Sequence, residues 1–458
     1  MKDNIKRYVF VSNHGDAFFL AYIMQKQGKE VYFYTEDPEA RAIGEHMLEN
    51  RVDDFHEVLL KYPNKDETLL IFDQTGLGAE AELLLKQGYH VYGGSLIADR
   101  LEEDRAFATK LLSQAVGVPP TKTFNTFNEA KEFLKTQDKD KRFVFKPSGE
   151  NVPSDWTYVA HDVADLVSRL NYYEAEWTAT DISFQLQTFI QGIECDFSGY
   201  FSRSGQWIKD SFVWYFEDKK FMNGNLGPNI GCADAFQYFT TEQEPYFKEH
   251  LSKFTKFLKK NNYSGQFSVN NIYDPKTKKF YALEISPRMG YDSFQNEIYH
   301  LVARKKDPAL LLKAVALGIP LPKNYFDPTL YNFNVRISIP PYPNETHEPK
   351  QSQGHVVDME RSIEKNFYYG DVKYDEKTHK VVCTGSDHVV GVICTLGKEI
   401  NGVISDLYLN IAPKLNIAHA QYRTDGGRRV AIALMQLTND KKILKRQDNS
   451  LIPLIVKI

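Results

Sequence analysis

The sequence predicts a multidomain chain of mixed α/β and α+β class. Three observations carry that reading. Strand and helix patterns alternate over the first hundred residues, period-two alternation dominates a long central stretch, and the texture shifts near residue 331 to β segments joined by polar turns. At 458 residues the chain exceeds one ordinary core. We therefore expect an N-terminal parallel α/β domain over 1–100, a central domain over 101–330, and a C-terminal β-rich domain over 331–458.

The elements follow in order. "RYVFVSN" reads as a buried strand, "AFFLAYIMQKQG" as an amphipathic helix and "KEVYFYTED" as a second strand. "ETLLIFDQTGLG" is a strand and turn, "AEAELLLKQG" a helix ending at Gly88, and "YHVYGGS" another strand. Such alternation is satisfied by a parallel sheet. "LEEDRAFATKLLSQAVGVPP" predicts one helix closed by Gly117 and the prolines. "TKTFNTFNEAKEFLK" is a short strand and an N-capped helix, and "RFVFKPS" is a strand. The stretch from Ser183 to Phe216 predicts antiparallel strands turning at Gly192 and Gly205. Phe247, Leu251, Phe254 and Leu258 stand at helical spacing. "SGQFSVNNIYDPKTKKFYALEIS" is a hairpin turning at "DPKTKK", and "ALLLKAVALG" is a helix. "NVRISIPPYPNE", "HVVGVICTLG" and "RRVAIALMQLTND" read as β segments.

Composition excludes some classes. Apolar content of 42% and charged content of 25% belong to a globular protein. A net charge of -4 gives no support for a large nucleic-acid surface. No stretch approaches the ~20 apolar residues of a membrane helix. Cys195, Cys232, Cys383 and Cys394 have neither zinc-ligand nor redox spacing, which suits reduced thiols and a cytoplasmic location.

Four stretches could carry chemistry, and each also has a plain structural reading. Lys146 ends an apolar strand, so its ammonium either snorkels or meets a phosphate. In "QTFIQGIECD", the extended backbone from Gln187 to Ile190 could read an adenine edge and Glu194 a ribose, or the segment is an ordinary strand–turn–strand. "NGNLGPNIGC" (223–232) is either a tight turn or a loop whose free N–H groups bind an anion. In "FYALEISPRMG", Glu284 and Arg288 form either a structural ion pair or a Mg²⁺ ligand beside a phosphate-facing guanidinium.

The order of these stretches resembles the ATP-grasp ligases, and most of all the phosphoribosylamine–glycine ligase family. "FVFKP" is similar to that family's strand lysine and "TFIQGIECDFSGYF" to its hinge. "GNLGPNIGCADAF" is similar to its Gly-Pro-Asn loop, "YALEISPRMG" to its Glu-x-Asn-x-Arg-x-Gly strand, and "YRTDGGRRV" more weakly to a C-terminal segment. The resemblance implies an ATP-grasp domain over 101–330 that binds ATP and Mg²⁺. It places Arg105 and Lys146 at the phosphates, Gln187, Thr188 and Ile190 along adenine, and Glu194 at the ribose. Glu284, Asn270 and Ser286 would be the metal ligands, with Arg288 and Lys146 in the catalytic roles. Gly227, Pro228, Asn229 and Gly231 would line the substrate amine.

Several positions depart from that pattern. Arg105 replaces a lysine and Ser286 an asparagine, while the hairpin's first strand offers only Ser268, Asn270 and Asn271 where an acid is usual. The stretch "SGENVPSDWT" carries no basic residue where the family's mobile loop has Gly-Lys-Gly. The resemblance implies a divergent carboxylate–amine ligase with small-molecule substrates, as a monomer or homodimer. The alternative is a degenerate relative that binds nucleotide or a phosphosugar without ligating.

Overall fold

A computed structural model describes residues 3–148, 156–177, 182–343 and 351–444. The first sheet is parallel, in the order β2-β1-β3-β4. Its strands are β1 (Arg7–Ser12), β2 (Glu30–Thr35), β3 (Thr68–Phe72) and β4 (His90–Tyr92). Every residue of β1 and β3 is buried, because helices cover both faces. Those helices include α1 (Phe18–Lys26), α2 (Phe55–Lys61) and α3 (Gly78–Lys86). One face belongs to a local core around Val9, Leu70 and Leu84, while the other joins the main core of the molecule.

Two helices follow where the sequence predicts one: α4 (Leu96–Glu103) and α5 (Arg105–Ala115). Asp104 breaks the run. It ends α4 and turns its carboxylate onto the Phe107 N–H at 3.0 Å, capping α5. The break makes Arg105 the first residue of α5.

A small antiparallel sheet comes next, in the order β5-β8-β6-β7. It comprises β5 (Thr121–Phe124), β6 (Phe143–Ser148), β7 (Tyr158–Val159) and β8 (Ser183–Thr188), packed by α6 (Phe127–Lys135) and α7 (Val163–Glu176). Phe124, Phe127, Phe145, Tyr173 and Phe184 give it a core of its own.

The main body is one eight-stranded antiparallel sheet. Its strands are β9 (Ile193–Phe201), β10 (Phe212–Met222), β11 (Leu226–Thr240), β12 (Gly265–Asp274), β13 (Lys279–Ser286), β14 (Tyr331–Ser338), β16 (Phe367–Tyr369) and β19 (Val389–Gly397), in the order β13-β12-β9-β10-β11-β14-β19-β16. The sheet therefore runs across residue 331, because β14 pairs with β11. Short strands β15 (Val357–Met359), β17 (Val372–Asp375), β18 (Lys380–Cys383) and β20 (Leu415–Ile417) pair off at its flank as β15-β20 and β17-β18. Helix α10 (Tyr291–Ala303) packs on β11, β14 and β19 of this sheet, and α11 (Pro308–Leu317) packs on β3 and β4 of the first.

Three expectations need correction. Residues 245–260 form α8 (Pro245–Glu249), a 3₁₀ turn and α9 (Thr255–Lys260) rather than one helix. "RRVAIALMQLTND", expected as a strand, forms the helix α13 (Val430–Asn439) after α12 (Ile400–Asp406). Its buried residues Val430, Ala433, Leu434 and Leu437 recur at helical spacing, a period hidden by the surrounding apolar residues. Finally, the stretch 223–232, expected as a tight turn or a binding loop, is a turn at Asn223–Asn225 followed by the first part of β11, together forming the end of a ribbon. Register shifts after Asp218 and Lys220 mark this ribbon as bulged, and Gly227 and Gly231 take the positive φ values (76° and 78°) that its backbone requires. The basic-free stretch at 149–155 lies outside the described residues.

Candidate active site

Sheet register assembles the site. On β12 and β13, Ser268 lies opposite Ser286 and Asn270 opposite Glu284. On β9, Ser198 lies opposite Ser268 and Asp196 opposite Asn270, and β10 adds Tyr215 opposite Asp196. Directly opposed residues share a face, so one polar face crosses four strands while Phe197 and Val269 point into the core.

The small sheet closes over this face. Lys146, on β6, is 8% exposed and donates to the Leu283 carbonyl of β13 at 3.1 Å. A cavity of about 150 Å³ lies between the two sheets and α5, with Arg105, Lys146, Gln185, Glu284, Ser286 and Arg288 on its walls.

Charge is concentrated in this cavity and on the strands beside it. Burial acts to raise the Glu284 carboxyl, but Lys219, Lys146, Arg105 and Arg288 outweigh it and hold it down at about 2. Burial pushes Lys146 down to about 8, against the pull of Glu284 and with help from Arg105 and Lys219. Asp196 is pushed up to about 6 and Glu217 to about 8, both chiefly by burial. Lys219 is raised, because Asp196, Glu217, Glu284 and Glu194 together overcome its burial.

The ion pairs separate the two readings of "FYALEISPRMG". Arg288 donates through Nε to Glu102 Oε1 of α4 at 2.9 Å, and its guanidinium lies 4.9 Å from the Tyr291 ring centre. Glu284 instead meets Arg105 Nη1 at 3.8 Å and accepts from Asn270 Nδ2 at 3.2 Å. The direct Glu284–Arg288 pair is not the arrangement present.

The other expected residues sit at the rim or beyond. Gln187 is buried on β8, and its side chain donates to Thr121 Oγ1 at 3.1 Å. The Thr188 N–H donates to the Pro120 carbonyl at 2.8 Å, so a backbone contact of this residue with a base falls to its carbonyl. Ile190 follows β8 and is half-buried, while Glu194 is exposed on β9. Gly227, Pro228, Asn229 and Gly231 are exposed on the ribbon and are not on the cavity wall.

Comparison with known proteins places the architecture. No protein-family profile and no curated protein sequence matches the chain. Solved structures do. Phosphoribosylamine–glycine ligase from Thermotoga maritima is similar over 92% of this chain and 99% of its own, with a TM-score of 0.65 and 16% identity. Biotin carboxylase from Campylobacter jejuni, solved with a β,γ-ATP ligand, is similar over 91% of this chain and 93% of its own, with a TM-score of 0.63 and 15% identity. N5-carboxyaminoimidazole synthetase from Staphylococcus aureus, complexed with ADP, is similar over 89% and 98%, with a TM-score of 0.57 and 13% identity. The chain has the ATP-grasp fold.

Within that fold, the cavity lies between the small sheet and the β12–β13 hairpin. Sequence reasoning missed Lys219, Asp196, Glu217 and Glu102. For the first three the sequence offered only a partial signal. Asp196 follows Glu194 at period two on an apolar strand, whereas Glu217 and Lys219 sit in the continuous charged run Glu217–Lys220 that ends an apolar strand. Glu102 gave none, because its partner is 186 residues away.

The donor set suits one Mg²⁺ better than a metal-only cage. Among the described residues no group of three or more His, Cys, Asp or Glu is arranged to hold a metal ion. Glu284 supplies one carboxylate, flanked by the Ser286 hydroxyl and the Asn270 amide. One carboxylate suffices for Mg²⁺ that takes its remaining ligands from phosphates and water.

Proposed function

We propose that the chain is an ATP-dependent carboxylate–amine ligase that forms an amide through an acyl-phosphate. The observation that carries this reading is the cavity, where Lys146 and Arg105 lie beside the carboxylate of Glu284 while Glu102 holds Arg288 on the same wall. That arrangement suits a polyphosphate and its metal. Residues 1–100 would form a substrate domain and 101–330 the ATP-grasp unit, with 331–458 completing the main sheet.

In this reading ATP lies along the hinge, with Ile190 and the Thr188 carbonyl at the base and Glu194 at the ribose. Lys146 and Arg105 hold the phosphates. Glu284, with Ser286 and Asn270, would hold Mg²⁺, whose contribution is to neutralise charge between neighbouring phosphate oxygens. The substrate carboxylate attacks the γ-phosphorus and ADP leaves, while Arg288, fixed by Glu102, faces the charge that develops on the transferring group. An amine approaching past Gly227–Gly231 then attacks the acyl carbon and phosphate departs. No enzyme nucleophile is required, since positioning supplies much of the rate.

The test is ADP release from ATP across a panel of amino acids and phosphoribosylamine-like amines, with and without Mg²⁺. Mg²⁺-dependent release for one pair supports the reading. A second reading, nucleotide binding without ligation, is favoured by Glu284 being the one β12–β13 carboxylate on the cavity wall. It predicts that ATP binds and that no pair releases ADP.

A further inference from the structure

The β10–β11 ribbon projects from the main sheet, and residues 222–224 and 226–229 are exposed. A two-stranded ribbon alone is marginal in water, yet this one is tied down by a turn about 200 residues later. Asn223 Nδ2 donates to Thr424 Oγ1 at 2.7 Å, and the Thr424 N–H returns a bond to Asn223 Oδ1 at 3.1 Å. The Gly224 N–H donates to Asp425 Oδ2 at 2.7 Å. Arg423, 2% exposed, donates from Nη1 to Asn225 Oδ1 at 2.9 Å and to the Lys220 carbonyl at 3.1 Å.

The turn is itself braced. Arg423 Nε donates to Asp425 Oδ1 at 2.9 Å, and the guanidinium lies 3.5 Å from Asp218 and 3.7 Å from Asp234. Gly426 passes so close that a Cβ there would come within 2.7 Å of the Asp234 carboxylate. Farther along the ribbon, Arg336 of β14 donates to the Ile230 carbonyl at 3.1 Å while pairing with Asp292 at 2.8 Å. The ribbon is therefore gripped at its tip by Arg423–Asp425 and near its base by Arg336, and both arginines come from beyond residue 330.

We propose that Arg423 and Asp425 are positioning residues that hold the 223–231 ribbon as a fixed wall of the amine pocket, rather than as a lid that closes on substrate. This rests on the reading above that the ribbon lines the amine. A fixed wall needs little reorganisation on binding, so its loss acts on amine recognition and leaves nucleotide chemistry alone.

The test uses the intact protein with Asn223→Ala and Asp425→Asn. Both sites are at least partly exposed, so folding is preserved where Arg423→Met could lose it. Hydrogen exchange of the 221–233 peptide should rise at least tenfold in both variants, with α10 unchanged. With the twenty amino acids as amines, KM for the best should rise at least tenfold while KM for ATP holds. Turnover with hydroxylamine, which traps an acyl-phosphate without an amine pocket, should stay near wild type, whereas general misfolding would lower both. Wild-type exchange in the ribbon overturns the proposal, and so does a loosened ribbon with unchanged amine KM. If the wild type releases no ADP with any amine or hydroxylamine, the ligase reading fails, and the exchange result alone decides the latch.

Discussion

Glu284 and Lys146 show how neighbours decide what a residue can do. Both are in the cavity, yet one is held ionised and the other sits near its titration point. Lys146 is protonated below about pH 8 and loses its charge as pH rises through that value. ATP affinity should therefore fall above pH 8 by up to one proton's worth, tenfold per pH unit. Lys146→Arg should flatten that fall, because arginine stays charged. Glu284, near 2, stays ionised throughout and contributes nothing to the profile. Glu284→Ala should abolish ADP release while leaving the melting transition in place. Full activity in that variant would sink the proposed mechanism.

At the scale of elements, the strand that carries a cleft and the helix that closes a core depend on different signals. Glu284 was legible because a carboxylate between Leu283 and Ile285 on an apolar strand stands out, whereas Asn270 and Ser286 follow only from the resemblance to the ligase family and their meeting with Glu284 depends on register. The helix α13 was not, because Ala431, Ile432 and Met435 fill the gaps of its helical stripe and the run then also fits a buried strand. Leu437 is fully buried on that stripe. Leu437→Ala should destabilise by about 2–5 kcal/mol, read as a lower denaturant midpoint. An unchanged midpoint would mean that α13 does not pack as described. The strand character of the ribbon is likewise hidden, because its glycines signal positive φ and a bulged strand uses the same residues as a turn or loop.

For the whole molecule, the change of texture near residue 331 was legible, but the pairing across it was not. β14 hydrogen-bonds to β11 and carries β19 and β16 beyond it, and one apolar core runs from Phe10 through Trp214 to Val392. Long-range pairing leaves no local mark, whereas the parallel first sheet follows from local alternation. A chain ending at residue 330 should therefore aggregate or fail to melt cooperatively, since it bares the β11 edge and loses the core residues that β14, β16 and β19 supply. A soluble, cooperatively melting 1–330 fragment would contradict this. The β5–β8 sheet has its own core and meets the main body across the cavity, so a ligand there would touch both. The most direct measurement is calorimetric titration of a non-hydrolysable ATP analogue with Mg²⁺ into the wild type and Lys146→Met. The account predicts one site per chain and affinity about 10–100-fold weaker in the variant, as expected for a lost charge-assisted bond. Equal affinity in the two proteins, or no binding to the wild type, would contradict it.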